Sequence, residues 1–258
     1  MELLKTVKRR TFWSEVVYQG LNIGLVAALF VLSQTIQSPV IATVLVLLSK
    51  WRVLAVRPRY WWANIQANMV DVIVGLGVVA LMYAPGMTLY PQAGLAAAYA
   101  LWLVVIKPLS KRWQMVLQAV IALVVGSAAL LMVSYEWPVL SVAAGMFIIG
   151  YSVARHFLYS HDDEHMVQLS LIWGVIYAEM GWLAHFWTFS YGLPGALATA
   201  LRLPQMTIIL LLLSFVGERI YTSWRKHGEV QTAEMFAPVL FAFGLIAAML
   251  IVFNSVVI

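Results

Sequence analysis

The chain contains no cysteine. Disulfides, thiolate nucleophiles and cysteine-held metals or clusters are therefore excluded. Charge is scarce as well: 10% of the 258 residues are charged, against roughly a quarter in a soluble domain. At 63% hydrophobic, a water-soluble globule of this composition would expose a vast apolar surface, so a bilayer is the solvent that fits. No phosphate loop or dinucleotide fingerprint is present, and no low-complexity linker, internal repeat or soluble domain can be read. The formal charge of +5 does not by itself imply nucleic acid, because in a membrane protein the placement of charge matters more than its sum.

What is there is a succession of apolar runs. Taking about 20 apolar residues per crossing, the expectation is an all-α, polytopic helical membrane protein, residues 1–258 forming one integral membrane domain. Nine spans are read: Val16–Ile36, Pro39–Val56, Trp62–Tyr83, Ala93–Ile106, Trp113–Ser134, Pro138–Ala154, Met166–Trp187, Pro204–Tyr221 and Met235–Val257. The N-terminal MELLKTVKRRTFWSE is basic and runs into the first span without a small-residue cleavage site, so a retained helix is expected rather than a signal peptide. The long stretch TFSYGLPGALATALRLPQ holds ALATALRL between prolines and reads as a short surface or re-entrant helix.

Basic residues fix the orientation. With the N-terminus inside and the C-terminus outside, the inner segments hold Lys5, Lys8, Arg9 and Arg10, then Lys50, Arg52, Arg57 and Arg59. Further along they hold Lys107, Lys111 and Arg112, then Arg155, then Arg219, Arg225 and Lys226. Only Arg202 falls outside, the bias expected of a cytoplasmic membrane of bacterial type. Trp13, Trp51, Trp61, Trp62, Trp113 and Trp224 sit at inner ends, and Trp137 and Trp187 at outer ends, where amphipathic rings belong.

Polar groups inside the apolar runs are the candidate sites, because an ionisable side chain in hydrocarbon needs a partner or a hydrated cavity. Asn64, Asn68 and Asp71 follow an i, i+4, i+7 spacing and share a helix face. Asp71 lies about 13 Å along the axis from Trp62, near mid-membrane. Glu15, Gln19 and Asn22 repeat the stripe in the first span, so the two can line one inner vestibule or serve as interhelical glue. Lys50 ends a short apolar run and either snorkels to the inner surface or pairs with Asp71 or Glu15. Gln168 and Glu179 are eleven residues apart, close to three turns, and share a face of the seventh span. Glu179, with Arg202 as the outer cation able to answer it, completes a path from Asp71 for protons or cations.

The segment His161-Asp162-Asp163-Glu164-His165 matches the H-x-x-E-H zinc pattern. On a helix, His161 and His165 would ligate a divalent metal with Glu164 as base and His156 as a third ligand. The competing reading is a capping box from Ser160 to Asp163, with acids filling the first turn of the seventh span. Gln114, Gln118, Thr207, Ser214 and Glu218 read as packing or interfacial groups, and Gly75, Gly77, Gly126 and Gly145 as points of close helix approach.

Three function classes remain. The leading one is a small-solute or ion transporter using Asp71 and Glu179, without a cofactor and with the lipid bilayer as its partner. The others are a membrane enzyme, metal-dependent through His161 and His165, and a non-catalytic assembly subunit. Neither nucleic acid nor a particular protein partner is implied.

The absence of cysteine makes the orientation easy to test. Ser110→Cys is expected to react with an impermeant maleimide only from the cytoplasmic side, and Tyr135→Cys only from the outside. Labelling of both from one side contradicts the map.

Overall fold

The computed structural model describes residues 12–161, 163–192 and 201–252, with side chains from 16 to 251. It is helical: α1 Phe12–Thr35, α2 Val40–Ser49, α3 Trp61–Met82, α4 Leu89–Leu101, α5 Arg112–Val133, α6 Val139–Tyr159, α7 Met166–Phe186, α8 Gln205–His227 and α9 Thr232–Val252. Eight of these are long and apolar enough to cross a membrane. The expectation of nine full spans is corrected at α2, which has ten residues and reaches about 15 Å, half a bilayer core. Beyond Ser49 the chain leaves the α-helix for two short 3₁₀ turns, Trp51–Val53 and Pro58–Tyr60. Lys50, Arg52, Arg57 and Arg59 break up the apolar stretch that follows, and Pro58 opens the second turn.

Helix α3 is the axis of the bundle. Val70, Ile73, Val74, Val78, Val79 and Met82 are all buried, and α3 packs on α2, α4, α5 and α6. One continuous core collects residues from every helix, from Val26 on α1 to Met249 on α9. The outward faces are apolar too: Leu21, Leu140, Phe236 and Ile251 are largely exposed. A surface of that kind suits hydrocarbon rather than water.

Between α7 and α8 a small antiparallel ribbon pairs β1 (Ser190–Gly192) with β2 (Arg202–Pro204), Tyr191 opposite Leu203. Most of the helix read in ALATALRL falls on residues 193–200, outside the described residues, while Arg202–Pro204 is strand. The ribbon delivers Gln205 to the start of α8, where its fully buried amide accepts from Trp187 Nε1 at 2.6 Å. The same amide donates to Tyr191 Oη at 2.6 Å and to the Met249 carbonyl at 3.1 Å, joining the ribbon to α9.

Small residues set the helix spacing. A Cβ on Gly75, Gly77, Gly126 or Gly145 would approach a neighbouring helix to 2.8 Å or less, as their role in close packing requires. The tightest pair of helices is α6 with α7, where Gly150 receives the ring of Tyr177. At the far end of α8, Gly228 ends the helix at φ 76°, a left-handed position that other residues rarely adopt.

Gly150→Ala drives a methyl into Tyr177 Cγ, well inside contact distance. It is expected to cost about 1–3 kcal/mol by overpacking, read as a lower thermal midpoint in detergent. Gly24→Ala, with nothing within 4 Å, is the control and should leave the midpoint unchanged or slightly raised.

Candidate functional site

The charged residue deepest in α3 is Asp71, 6% exposed. Three other side chains converge on it. Lys50, at the end of α2, donates to Oδ2 at 2.5 Å. Lys107 donates to the same oxygen at 2.6 Å. Trp102 Nε1 donates to Oδ1 at 3.1 Å. Lys50 thus meets Asp71, one of the two partners expected for it. The second cation, Lys107, carries no signal in the sequence, where it reads as an ordinary basic loop residue.

The local backbone explains why both Trp102 and Lys107 reach one carboxylate. In an α-helix, residues five apart point about 140° away from each other. Here α4 widens at its end into a π-turn, Trp102–Ile106, closed by the Lys107 N–H on the Trp102 carbonyl at 2.8 Å. More residues per turn bring the two side chains onto the face turned to α3. Such single π-turns often mark functional positions.

Behind Lys107 stands a second layer. The Gln118 amide of α5 donates to the carbonyls of Ile106 at 2.8 Å and Leu109 at 3.0 Å. Its oxygen lies 2.9 Å from His156 Nε2 of α6, which must therefore carry the proton. Gln118 and His156 thus hold the chain segment that aims Lys107, and His156 is committed to this contact.

The centre holds two ammonium groups and one carboxylate, a net charge of +1. Lys50 and Lys107 side chains are only 11% and 25% exposed. Tyr18 of α1 lies within electrostatic reach of both lysines. One turn deeper, Tyr99 Oη is buried without a hydrogen-bond partner and would stand 2.8 Å from a Cβ on Gly75. Gln19 Oε1 and Asn22 Nδ2, on α1, are buried and unpartnered as well. At the other end of the same four helices, Gln34 of α1 bonds Gln92 of α4, whose amide donates to the Met82 carbonyl of α3 at 2.8 Å.

The other sequence candidates fall elsewhere. Asn64 donates to the Val53 carbonyl at 3.4 Å and Asn68 to the Asn64 carbonyl at 2.8 Å, so both serve backbone rather than the centre. The side chain of Glu15 lies outside the described residues. Gln168 and Glu179 do share a face of α7 and both are exposed, Gln168 lining a cavity shared with α5 and α8, Glu179 beside Trp182 and Leu183. The expectation of a buried Glu179 is corrected. The packing face of α7 is the opposite one, made by Ser170, Gly174, Tyr177, Gly181 and Ala184.

His161 and residues 163–165 lie between α6 and α7, not in the first turn of α7, which begins at Met166. His161 and His165 therefore do not project from one helix face with Glu164 between them, and Glu164 and His165 are exposed. Asp162 lies outside the described residues, and among the described residues no group of three metal-ligating side chains converges. Nor does the capping box form. Helix α6 runs on to Tyr159, and Ser160 Oγ donates back to the Phe157 carbonyl at 2.6 Å. Asp163 instead accepts the His165 N–H at 2.7 Å and the Tyr221 hydroxyl at 2.6 Å. Arg225 donates to the His161 carbonyl at 2.9 Å, and the His161 ring packs between Phe157 and Tyr221. The turn is a clasp joining α6 and α7 to α8.

A cavity of about 1390 Å³ lies among α5, α6, α7 and α8, bridged where Trp173 rests on Gly217. Its lining is almost wholly apolar and does not reach Asp71. No protein-family model, curated protein or solved structure matches the chain.

The clasp titrates with a defined sign. Burial pushes the Asp163 carboxyl up, but the Tyr221 hydroxyl, the His165 amide and the Arg225 charge outweigh it and hold the group below its ordinary value. Its contribution to stability is present above the ordinary aspartate range and is lost as pH falls through the depressed value. Asp163→Asn is expected to be less stable than wild type by about 1–3 kcal/mol at neutral pH. The two thermal midpoints should converge as the pH is lowered below the ordinary aspartate value. A gap independent of pH contradicts the assignment.

Proposed function

We propose that the chain is an integral membrane protein that passes a small solute or ion, with the Asp71 centre as the part that opens and closes. In this reading α2 and the 3₁₀ turns after it together make the second crossing, the N-terminus is cytoplasmic, the C-terminus is outside, and the membrane is of bacterial type. The observation that carries it is one buried carboxylate held at once by lysines from two separate segments.

Stability alone is a weak reason for such an arrangement. Apolar side chains of similar shape hold a core as well or better, because removing charges from water costs several kcal/mol per ion. Ionisable groups inside an apolar bundle are functional by default. Each lysine here follows the end of a helical segment. Protonating Asp71, or offering the lysines another anion, detaches the ends of α2 and α4 from α3 together.

The same four helices contain the rest of a route. Gln34 and Gln92 close one end and the ion centre closes the other. Between them lie the unpartnered amide atoms of Gln19 and Asn22 and the Tyr99 hydroxyl. Buried polar atoms without partners are uncommon in folded proteins and invite water or a ligand. Glu179 has no part in this route. The outward apolar faces support the bilayer as the chain's partner.

The test is flux from reconstituted vesicles carrying sodium, potassium, chloride or acetate gradients. Wild type is expected to pass at least one of these. Asp71→Asn, at equal folded yield, should slow it at least about tenfold, the effect of about 1.4 kcal/mol on a barrier. Flux unchanged in the variant, or wild-type flux equal to that of empty vesicles, removes the reading.

A further inference from the structure

The chemistry of the centre says more than that it is charged, and the ligand it implies rests on the permease reading of the same site. The carboxylate of Asp71 is not gripped at one point. Oδ2 takes two ammonium donors and Oδ1 takes an indole N–H. The donors therefore match both oxygens of a carboxylate, one rich in positive charge and one neutral. Three donors and a surplus positive charge form a receptor in which an aspartate of the chain itself now sits.

We propose that this receptor binds a short-chain monocarboxylate, which takes the place of the Asp71 side chain between Lys50, Lys107 and Trp102. A halide would use the ammonium groups and leave the indole without an acceptor. A monovalent cation would face two lysines. A large anion does not fit, because Trp102 and Tyr99 are 3% and 1% exposed and the walls are closed.

Asp71 is then an internal competitor. It offsets one of the two lysine charges when the site is empty and lowers the apparent affinity by the fraction of time it occupies the receptor. Displaced, it leaves a conformation in which α3 is no longer tied to the ends of α2 and α4.

The experiment is thermal stabilisation of the purified full chain by sodium formate, acetate and propionate, compared with sodium chloride and nitrate at constant ionic strength. A ligand that binds only the folded state raises the midpoint with its concentration. Asp71→Asn removes the competitor and should respond to carboxylates at a concentration at least about tenfold lower than wild type. Lys107→Gln, in the otherwise wild-type chain, should respond to none of them. An Asp71→Asn chain that folds only when carboxylate is supplied also supports the site.

Three results overturn it: chloride or nitrate acting as well as acetate, a carboxylate response that survives Lys107→Gln, or no response in wild type and Asp71→Asn alike. These are separable from failure of the permease reading. Cation flux that depends on Asp71 without carboxylate stabilisation sinks the ligand and keeps the permease. Carboxylate binding without flux does the reverse.

Discussion

A carboxylate cannot remain ionised among apolar side chains unless cations answer it closely. That constraint on Asp71 organises one half of the bundle. It requires α2 to stop where Lys50 can turn in, and α4 to change pitch so that Trp102 and Lys107 arrive together. It also explains why Gln118, braced by His156 on a further helix, is spent on backbone carbonyls near Lys107. The remaining helices are held by other means: glycine contacts, the Gln205 hub and the Asp163 clasp.

Much of this is legible from residue order, for reasons that differ by element. Helical class and the approximate spans follow from hydropathy, which reports the solvent directly. The Lys50–Asp71 pair is one of three options that the burial penalty leaves for Lys50, beside snorkelling and Glu15. Lys107 is not legible. It lies at the end of a span, where basic residues are ordinary, and no propensity announces a π-turn. The half-length of α2 is hidden because Val53, Leu54, Ala55 and Val56 extend its apolar count while forming 3₁₀ turns and bends.

Glu179 shows a different limit. Its spacing from Gln168 requires that the two share a face, and they do. Spacing cannot say which way the face points. The signal that decides it lies on the other side of α7: Gly174, Gly181 and Ala184 form a small-residue track that lets α6 come close, and Tyr177 beside them enters the gap at Gly150. The turn between α6 and α7 fails as a helix start for a similar reason. Tertiary partners, Tyr221 and Arg225 on α8, claim Asp163 and the His161 carbonyl in place of a local cap.

The widened turn at the end of α4 has an uncommon genetic corollary. It holds one more residue than the coil it replaces. Deleting one residue between 103 and 106 would restore ordinary winding and leave Lys107 four places after Trp102, about 40° round the helix and still on the same face. Hydropathy, length and helix content would scarcely register the loss. The widened turn can therefore absorb a missing codon that, in any regular helix of the bundle, would rotate everything downstream by about 100°.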